Sequence, residues 1–206
     1  TLMGLGAFPG TDPLSLGMQG MHGTYEANMA MDGADLVIAL GARFDDRVTN
    51  NPDKFSPKAT IIHMDIDAAS INKIIDADIA LLGDGAWVLE QLSTRLTQAL
   101  KSQQKSALKD REEGLKSWWQ QLEDWRAENG LNHNLQAQAD KPILPQLAIQ
   151  SLYKVTGGDA FVCSDVGQHQ MFAAQYYHFD EPRRWINSGG LGTMGFGLPS
   201  AMGVQM

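Results

Sequence analysis

With 206 residues, 43% hydrophobic and 19% charged side chains, the chain has the composition of a globular protein and room for one large core or two small ones. A net charge of −8, with no basic cluster larger than the pair Arg183-Arg184, excludes a nucleic-acid-binding surface. One cysteine, Cys163, excludes an intrachain disulfide framework, and neither a secretory signal nor an apolar run of membrane-spanning length is present, so a cytoplasmic or organelle-interior location is expected by default.

Residues 1–21 are rich in Gly, Pro and Met and read as loop, with one short helical turn after Thr11-Asp12-Pro13. His22-Gly23-Thr24 leads into a helix over 25–32, whose first amides suit a phosphate. The run A-D-L-V-I-A-L at 34–40 is a buried strand closed by Gly41. A charged loop, A-R-F-D-D-R-V-T, follows at 42–49. It is either a self-neutralised surface turn or a site where Arg43 and Arg47 face a ligand's phosphate or carboxylate.

A second strand is expected at 60–66, with Asp65 and Asp67 at its end and a helix over 68–75. An acid at the end of a parallel strand suits a ribose hydroxyl. A third strand at 79–82 ends in Gly83-Asp84-Gly85, and 86–100 is an amphipathic helix. Strand, loop and helix repeated at this spacing predict an α/β, doubly wound parallel sheet.

The character changes after residue 101. Leu108, Leu115, Trp118, Trp119, Leu122 and Trp125 recur every three or four residues, so 101–140 reads as a linker with an amphipathic helix whose tryptophans pack on a neighbour. Polar loop at 129–140 precedes a helix at 142–153, and Ala160-Phe161-Val162-Cys163 is a short strand. Two motifs follow, S-D-V-G-Q-H-Q-M at 164–171 and N-S-G-G-L-G-T-M-G-F-G-L-P at 187–199. The glycines of the second bring bare backbone close to a partner and free its amides for hydrogen bonding. Gly190 to Gly195 fits G-x-G-x-x-G, yet Arg183-Arg184-Trp185-Ile186 is a poor buried strand to precede it, which weighs against a dinucleotide site.

These two motifs resemble the start of the diphosphate-binding domain of acetohydroxyacid synthase (acetolactate synthase) catalytic subunits, a family of thiamine-diphosphate enzymes. G-M-H-G-T-Y-E-A-N-M-A-M at 20–31, G-A-R-F-D-D-R-V-T at 41–49 and H-M-D-I-D-A-A-S-I-N-K at 63–73 are similar to that family's FAD-binding middle domain, and the phrasing resembles its bacterial isozyme III branch. The resemblance implies a flavin domain at 1–100, a linker at 101–140 and the start of a second α/β domain, for thiamine diphosphate, from 141 to 206. With no initiator Met and an unfinished final helix, the chain is expected to be an internal fragment, inactive by itself.

The resemblance places FAD against Thr1, Leu2, Met21, His22, Gly23, Arg43, Arg47, Val48, Asp65, Ile66 and Asp84. It places thiamine diphosphate against Val166, Gly167, Gln168 and His169, with Gly192 offering a carbonyl to the aminopyrimidine and Met194 wedged beneath the coenzyme. Gln168 and Arg47 are the implied catalytic residues, Arg47 receiving the carboxylate of the second 2-oxoacid. The implied activity is a transferase reaction: decarboxylation of pyruvate and ligation to a second pyruvate or 2-oxobutyrate, in branched-chain amino acid biosynthesis. Mg²⁺ is implied, but its ligands are not expected here: Gly83-Asp84-Gly85 lacks the later asparagine and precedes the 187–199 motif, so it is a strand-end turn. A homodimer or larger assembly and a small regulatory subunit are the implied partners. The alternative is a non-catalytic flavin- or nucleotide-binding module.

Overall fold

The computed structural model describes residues 1–102 and 105–206, with only the backbone path given for 105–107; Gln103 and Gln104, inside the expected linker, lie outside the described residues. The chain divides into two compact units. One comprises residues 1–27 with 130–206, the other residues 28–129.

The second unit is built on a parallel sheet in the order β1-β2-β3, formed by β1 (Leu36–Leu40), β2 (Thr60–Asp65) and β3 (Ile79–Leu82). α1 (Tyr25–Gly33) leads into β1, and Thr24 caps it: its hydroxyl accepts from Ala27 N–H and donates to the Leu16 carbonyl. Ala39, Phe44, Ile61 and Ile75 form the core on one face of the sheet. The expected burial of β1 is only half met. Leu36, Ile38 and Leu40 alternate onto a face that is exposed among the described residues, since only the Val37 and Ala39 side meets that core.

The expected helix over 68–75 is absent, and turns occupy its place. Asp67 takes the Ala69 N–H on its side chain and the Ser70 N–H on its carbonyl. Asn72 adopts a left-handed backbone, φ 57°, and accepts the Ala77 N–H. Short polar side chains that bond their own backbone compete with a helix, and here they win.

α2 (Asp46–Thr49) lies in the charged loop, and α3 (Gly85–Ser102) and α4 (Lys105–Asn129) follow β3. On α4, Leu122 is 1% exposed and the Trp118 and Trp125 rings meet edge to face at 5.9 Å. Trp118 and Trp125 also pack over Gly33, where a Cβ would meet their rings at ordinary contact distance. The tryptophan stripe is therefore packing surface at i, i+4, i+7 spacing.

The first unit holds α5 (Pro145–Thr156), β4 (Val162–Ser164), α6 (Gln168–Tyr176), β5 (Trp185–Asn187) and α7 (Gly197–Gln205), with β4 and β5 paired in parallel. Here β5 overturns the sequence reading of 183–186 as a poor strand. Trp185 is buried against Phe179, while Arg184 spreads over the Phe161 ring and pairs with Asp159 and Glu181. One buried aromatic plus an arginine whose stem packs flat suffices for a three-residue parallel strand. The glycine-rich N-terminal segment folds back along 178–181. Gly10 N–H bonds the Phe179 carbonyl, Thr11 bonds Asp180, and Gly6, at φ 85°, leaves no room for a side chain beside Glu181.

A ring cluster closes this unit: His133 lies 5.1 Å from His178 and 5.2 Å from Tyr176, and Tyr153 lies 5.3 Å from His178. Burial holds both imidazoles below the ordinary histidine range. His178 lowers His133 further, and Glu26 and Asp180 oppose the shifts. Groups with depressed folded values are neutral and favourable above about pH 6.5. Their contribution is lost as pH falls from there through the lowered values. The thermal midpoint of this unit should therefore drop between about pH 7 and about pH 5, and His178→Phe should flatten that drop. In the other unit, Leu122→Ala should cost about 3 kcal/mol in denaturant unfolding.

Candidate functional site

β4 ends at Ser164, and the chain then turns through Asp165, Val166 and Gly167 into α6. Gly167 sits at φ 153°, and a side chain there would press on the His169 ring at 3.0 Å. Among the described residues no side chain caps α6; the Gly167 carbonyl takes the Gln170 N–H, and the Gln168 and His169 amides begin the helix at the carboxyl end of the β4–β5 pair. Gln168 and His169 are exposed on that turn, while Gln170 is buried and donates to Asn187 Oδ1 of β5.

The glycine segment begins where β5 ends. Gly192 and Gly195 take φ of 65° and 85°, conformations that favour glycine. Leu191 and Met194 stand 94% and 81% exposed, apolar side chains presented outward by a turn. The Asp165 carboxylate joins this segment to the β4–α6 turn. Its Oδ1 accepts from Val166 N–H at 2.7 Å and Gly195 N–H at 2.9 Å, and its Oδ2 accepts from Gly197 N–H at 3.2 Å. Gly197 must be glycine, because a Cβ there would lie 2.7 Å from the Asp165 amide. These three backbone donors hold the Asp165 carboxyl below the usual carboxylate range, with His169 adding slightly. Val166, Gly167, Gln168, His169, Gly192 and Met194 thus belong to two loops fastened at one carboxylate.

A second set of candidates sits at the carboxyl edge of the three-stranded sheet. Gly41 N–H bonds the Met64 carbonyl and Gly83 N–H bonds the Asp65 carbonyl, so the strand ends are level there. Asp65 accepts the Asp67 N–H on Oδ1, and Ile66 is 74% exposed beside it. Asp84 caps α3 by accepting the Trp87 N–H. Gly83-Asp84-Gly85 is the strand-end turn expected of it.

In the loop after β1, Arg43 pairs with Asp45 and Arg47 with Asp46, with both guanidinium groups about two-thirds exposed. Each arginine is satisfied by a neighbour and still open to solvent. Exposed pairs of this kind are worth roughly 0–1 kcal/mol, so an incoming anion can displace them at little cost. Val48 is half-buried on α2, whose N-cap is Asp45.

The remaining candidates lie in the first unit. The Leu2–Gly4 turn carries Thr1 and Leu2, and Met21 is 53% exposed. The carbonyl of His22 accepts from Gln175 of α6 at 2.8 Å, and Gly23 is pressed against the Met18 carbonyl where no side chain fits.

Three residues were missed by sequence reasoning. Asp165 lay inside the S-D-V-G motif, but its partners are 30 and 32 residues away, beyond any local pattern. Phe44, 6% exposed at φ 51°, is the buried pivot of the arginine loop, and its position between charges was the available signal. His63 is wholly buried on β2, and a histidine between the apolar pair Ile61-Ile62 and Met64 was the signal there.

Two family models match the chain. Residues 1–92 match the central domain of thiamine pyrophosphate enzymes, and residues 165–206 match their C-terminal TPP-binding domain. The acetolactate synthase isozyme 3 large subunit of Escherichia coli strain K12 is 56% identical over 206 residues, all of this chain and 34% of that protein. The acetolactate synthase large subunit of Haemophilus influenzae is 50% identical over 207 residues, again with 34% of its length covered. The chloroplastic acetolactate synthase 1 of Nicotiana tabacum is 46% identical over 210 residues, 29% of its length. The chain spans about a third of the curated relatives it matches.

Asp165→Asn replaces one carboxylate oxygen with an N–H₂ donor. With the amide oxygen kept toward Val166 and Gly195, the N–H₂ faces Gly197 N–H, so hydrogen exchange at Gly197 should accelerate about tenfold while α6 stays protected. Because the Asp165 carboxyl is depressed, the same acceleration should appear in the unaltered chain only below about pH 4. Gly197→Ala should lower unfolding stability by about 1–3 kcal/mol in a denaturant titration.

Proposed function

Since the chain belongs to the thiamine pyrophosphate enzymes and aligns along its whole length with acetolactate synthase large subunits, we propose that it carries the flavin-binding region and the first coenzyme-binding loops of an acetolactate synthase. The observation that carries this reading is the Asp165 carboxylate, which holds Val166–His169 and Gly192–Met194 as one surface at the carboxyl end of β4 and β5. Open α/β sheets bind ligands at that end.

The residues fit an anionic coenzyme. The uncapped first turn of α6 offers Gly167, Gln168 and His169 to a diphosphate. Gly192, free of a side chain at φ 65°, suits a carbonyl contact to the aminopyrimidine, and exposed Met194 suits the apolar support beneath it. When bound, thiamine diphosphate supplies the electron sink for removing CO₂ from one 2-oxoacid and joining the rest to another. In this reading Gln168, exposed on the first turn of α6, orients substrate. Arg47 receives the carboxylate of the second 2-oxoacid, pyruvate or 2-oxobutyrate, by exchanging its exposed pair with Asp46.

In this reading FAD takes Arg43, Arg47 and Val48 for its charged and polar middle, Asp65 and Ile66 for the adenosine ribose, and Asp84 at the next strand end. Thr1, Leu2, Met21, His22 and Gly23 complete the assignment from the first unit's own sequence. The domain scheme is flavin domain 1–100, linker 101–140 and coenzyme domain from 141. Mg²⁺ belongs to the same chemistry, with no ligand assigned among these residues. A second catalytic subunit, a small regulatory subunit and a cytoplasmic setting are part of the proposal. Among the described residues, no helix is long and apolar enough to cross a membrane.

The test uses the complete polypeptide with thiamine diphosphate, Mg²⁺ and FAD. Pyruvate should yield acetolactate and CO₂, and absence of product would leave only the flavin-binding module. In that protein Arg47→Ala should lower kcat/KM for the second 2-oxoacid by roughly tenfold or more, with thiamine diphosphate affinity nearly unchanged. Met194→Ala should lower kcat more than it changes substrate KM, and wild-type turnover would exclude its supporting role.

A further inference from the structure

The most buried polar side chain of the sheet unit has no assigned purpose. His63 is 0% exposed in the middle strand, and neither ring nitrogen has a hydrogen-bond partner among the described residues. A fully buried imidazole with both nitrogens unsatisfied is costly, and an aliphatic residue would pack such a strand better. Two residues further along β2, on the same face, is Asp65, whose Oδ2 lies 3.8 Å from His63 Nε2. That separation is about half an ångström beyond hydrogen-bond range. The other carboxylate oxygen, Oδ1, is already taken by the Asp67 N–H at 2.8 Å. The far side of the imidazole meets the Phe44 ring edge to face at 5.0 Å, and Phe44 in turn meets Phe55 at 5.8 Å.

We propose that His63 is the positioning residue for Asp65, its Nε2–H setting the carboxylate to receive the hydroxyls of a bound ribonucleotide, while its ring, through Phe44, fixes the arginine loop to the same strand end. The inference rests on the flavin reading of this sheet edge and goes beyond it in naming the group that sets its ribose acceptor. The chemistry follows from the count of acceptor sites. A carboxylate that serves a diol must keep its rotation fixed, and Asp67 N–H fixes only one oxygen. Among the described residues, the unsatisfied ring beside the other oxygen is His63. Phe44 holds a left-handed φ of 51°, unusual for an aromatic residue, and the His63 and Phe55 rings bracket it there.

A double-mutant cycle on the complete polypeptide tests this, read by quenching of FAD fluorescence on binding. Asp65→Asn and His63→Phe should each weaken FAD affinity about tenfold. The double variant should bind no more weakly than Asp65→Asn alone, because His63 acts through Asp65. His63→Gln, which restores a donor at a similar reach, should recover most of the affinity, and it stands in for His63→Phe if that variant does not fold. FMN, which lacks the adenosine ribose, should show no dependence on residue 63. Losses that simply multiply in the double variant, or a His63→Phe protein with wild-type affinity, would overturn the role of His63 and leave the flavin reading intact. A wild-type protein that binds no FAD removes that reading and this inference with it.

Discussion

One carboxylate ties together the two loops at the carboxyl end of β4 and β5. Asp165 stands just past the end of β4 and accepts three backbone N–H groups, one from its own turn and two from a loop 30 and 32 residues later. Neither loop has a strong structure of its own. The first is an uncapped turn into a nine-residue helix, and the second is a run of glycines with two exposed apolar side chains. Glycine-rich backbone is costly to order and gains nothing from side-chain packing. A charged acceptor is the group best able to offset that, because charge-assisted hydrogen bonds are about twice as strong as neutral ones. The close approach of Gly197 to the Asp165 backbone then makes the join specific to glycine.

The sheet unit solves a different problem with related means. Its strand ends are levelled by backbone bonds from Gly41 and Gly83, and charge is concentrated just beyond them. Arg43 and Arg47 are held by adjacent aspartates weakly enough to exchange for a ligand, and the loop bearing them is anchored by an aromatic pivot at Phe44. Asp65 is more constrained than either arginine, since its side chain is 12% exposed and one oxygen is bonded. The edge thus combines a firm acceptor with adaptable cations, a combination suited to a ligand carrying both a sugar and phosphates.

Much of this was legible in the sequence because it is written in local patterns. The runs at 36–40, 60–65 and 79–82 are apolar and bounded by glycine or aspartate, and their strands follow within a residue or two. The tryptophan periodicity of α4 announced a packing face, and the motifs at 164–171 and 187–199 stood out through their resemblance to the thiamine-diphosphate family. Failures arose where long-range partners decide. β5 looked too polar until Phe179 and Phe161 supplied partners for Trp185 and Arg184. The stretch 68–75 looked helical until Asp67 and Asn72 used their side chains on the backbone. The Arg43 and Arg47 loop left two readings open, and it satisfies the self-neutralised one in geometry while keeping the exposure that ligand exchange needs. Asp165 and His63 could be seen in the sequence, but the roles of both depend on atoms brought near by folding.

The central claim is that the Asp165 carboxylate makes two loops into one coenzyme surface. Calorimetric titration of thiamine diphosphate with Mg²⁺ into the complete polypeptide, comparing wild type with Asp165→Ala, tests it most directly. Affinity should fall by about tenfold or more in the variant while its circular dichroism remains that of the folded protein. A folded Asp165→Ala protein that binds the coenzyme as tightly as wild type would contradict the account.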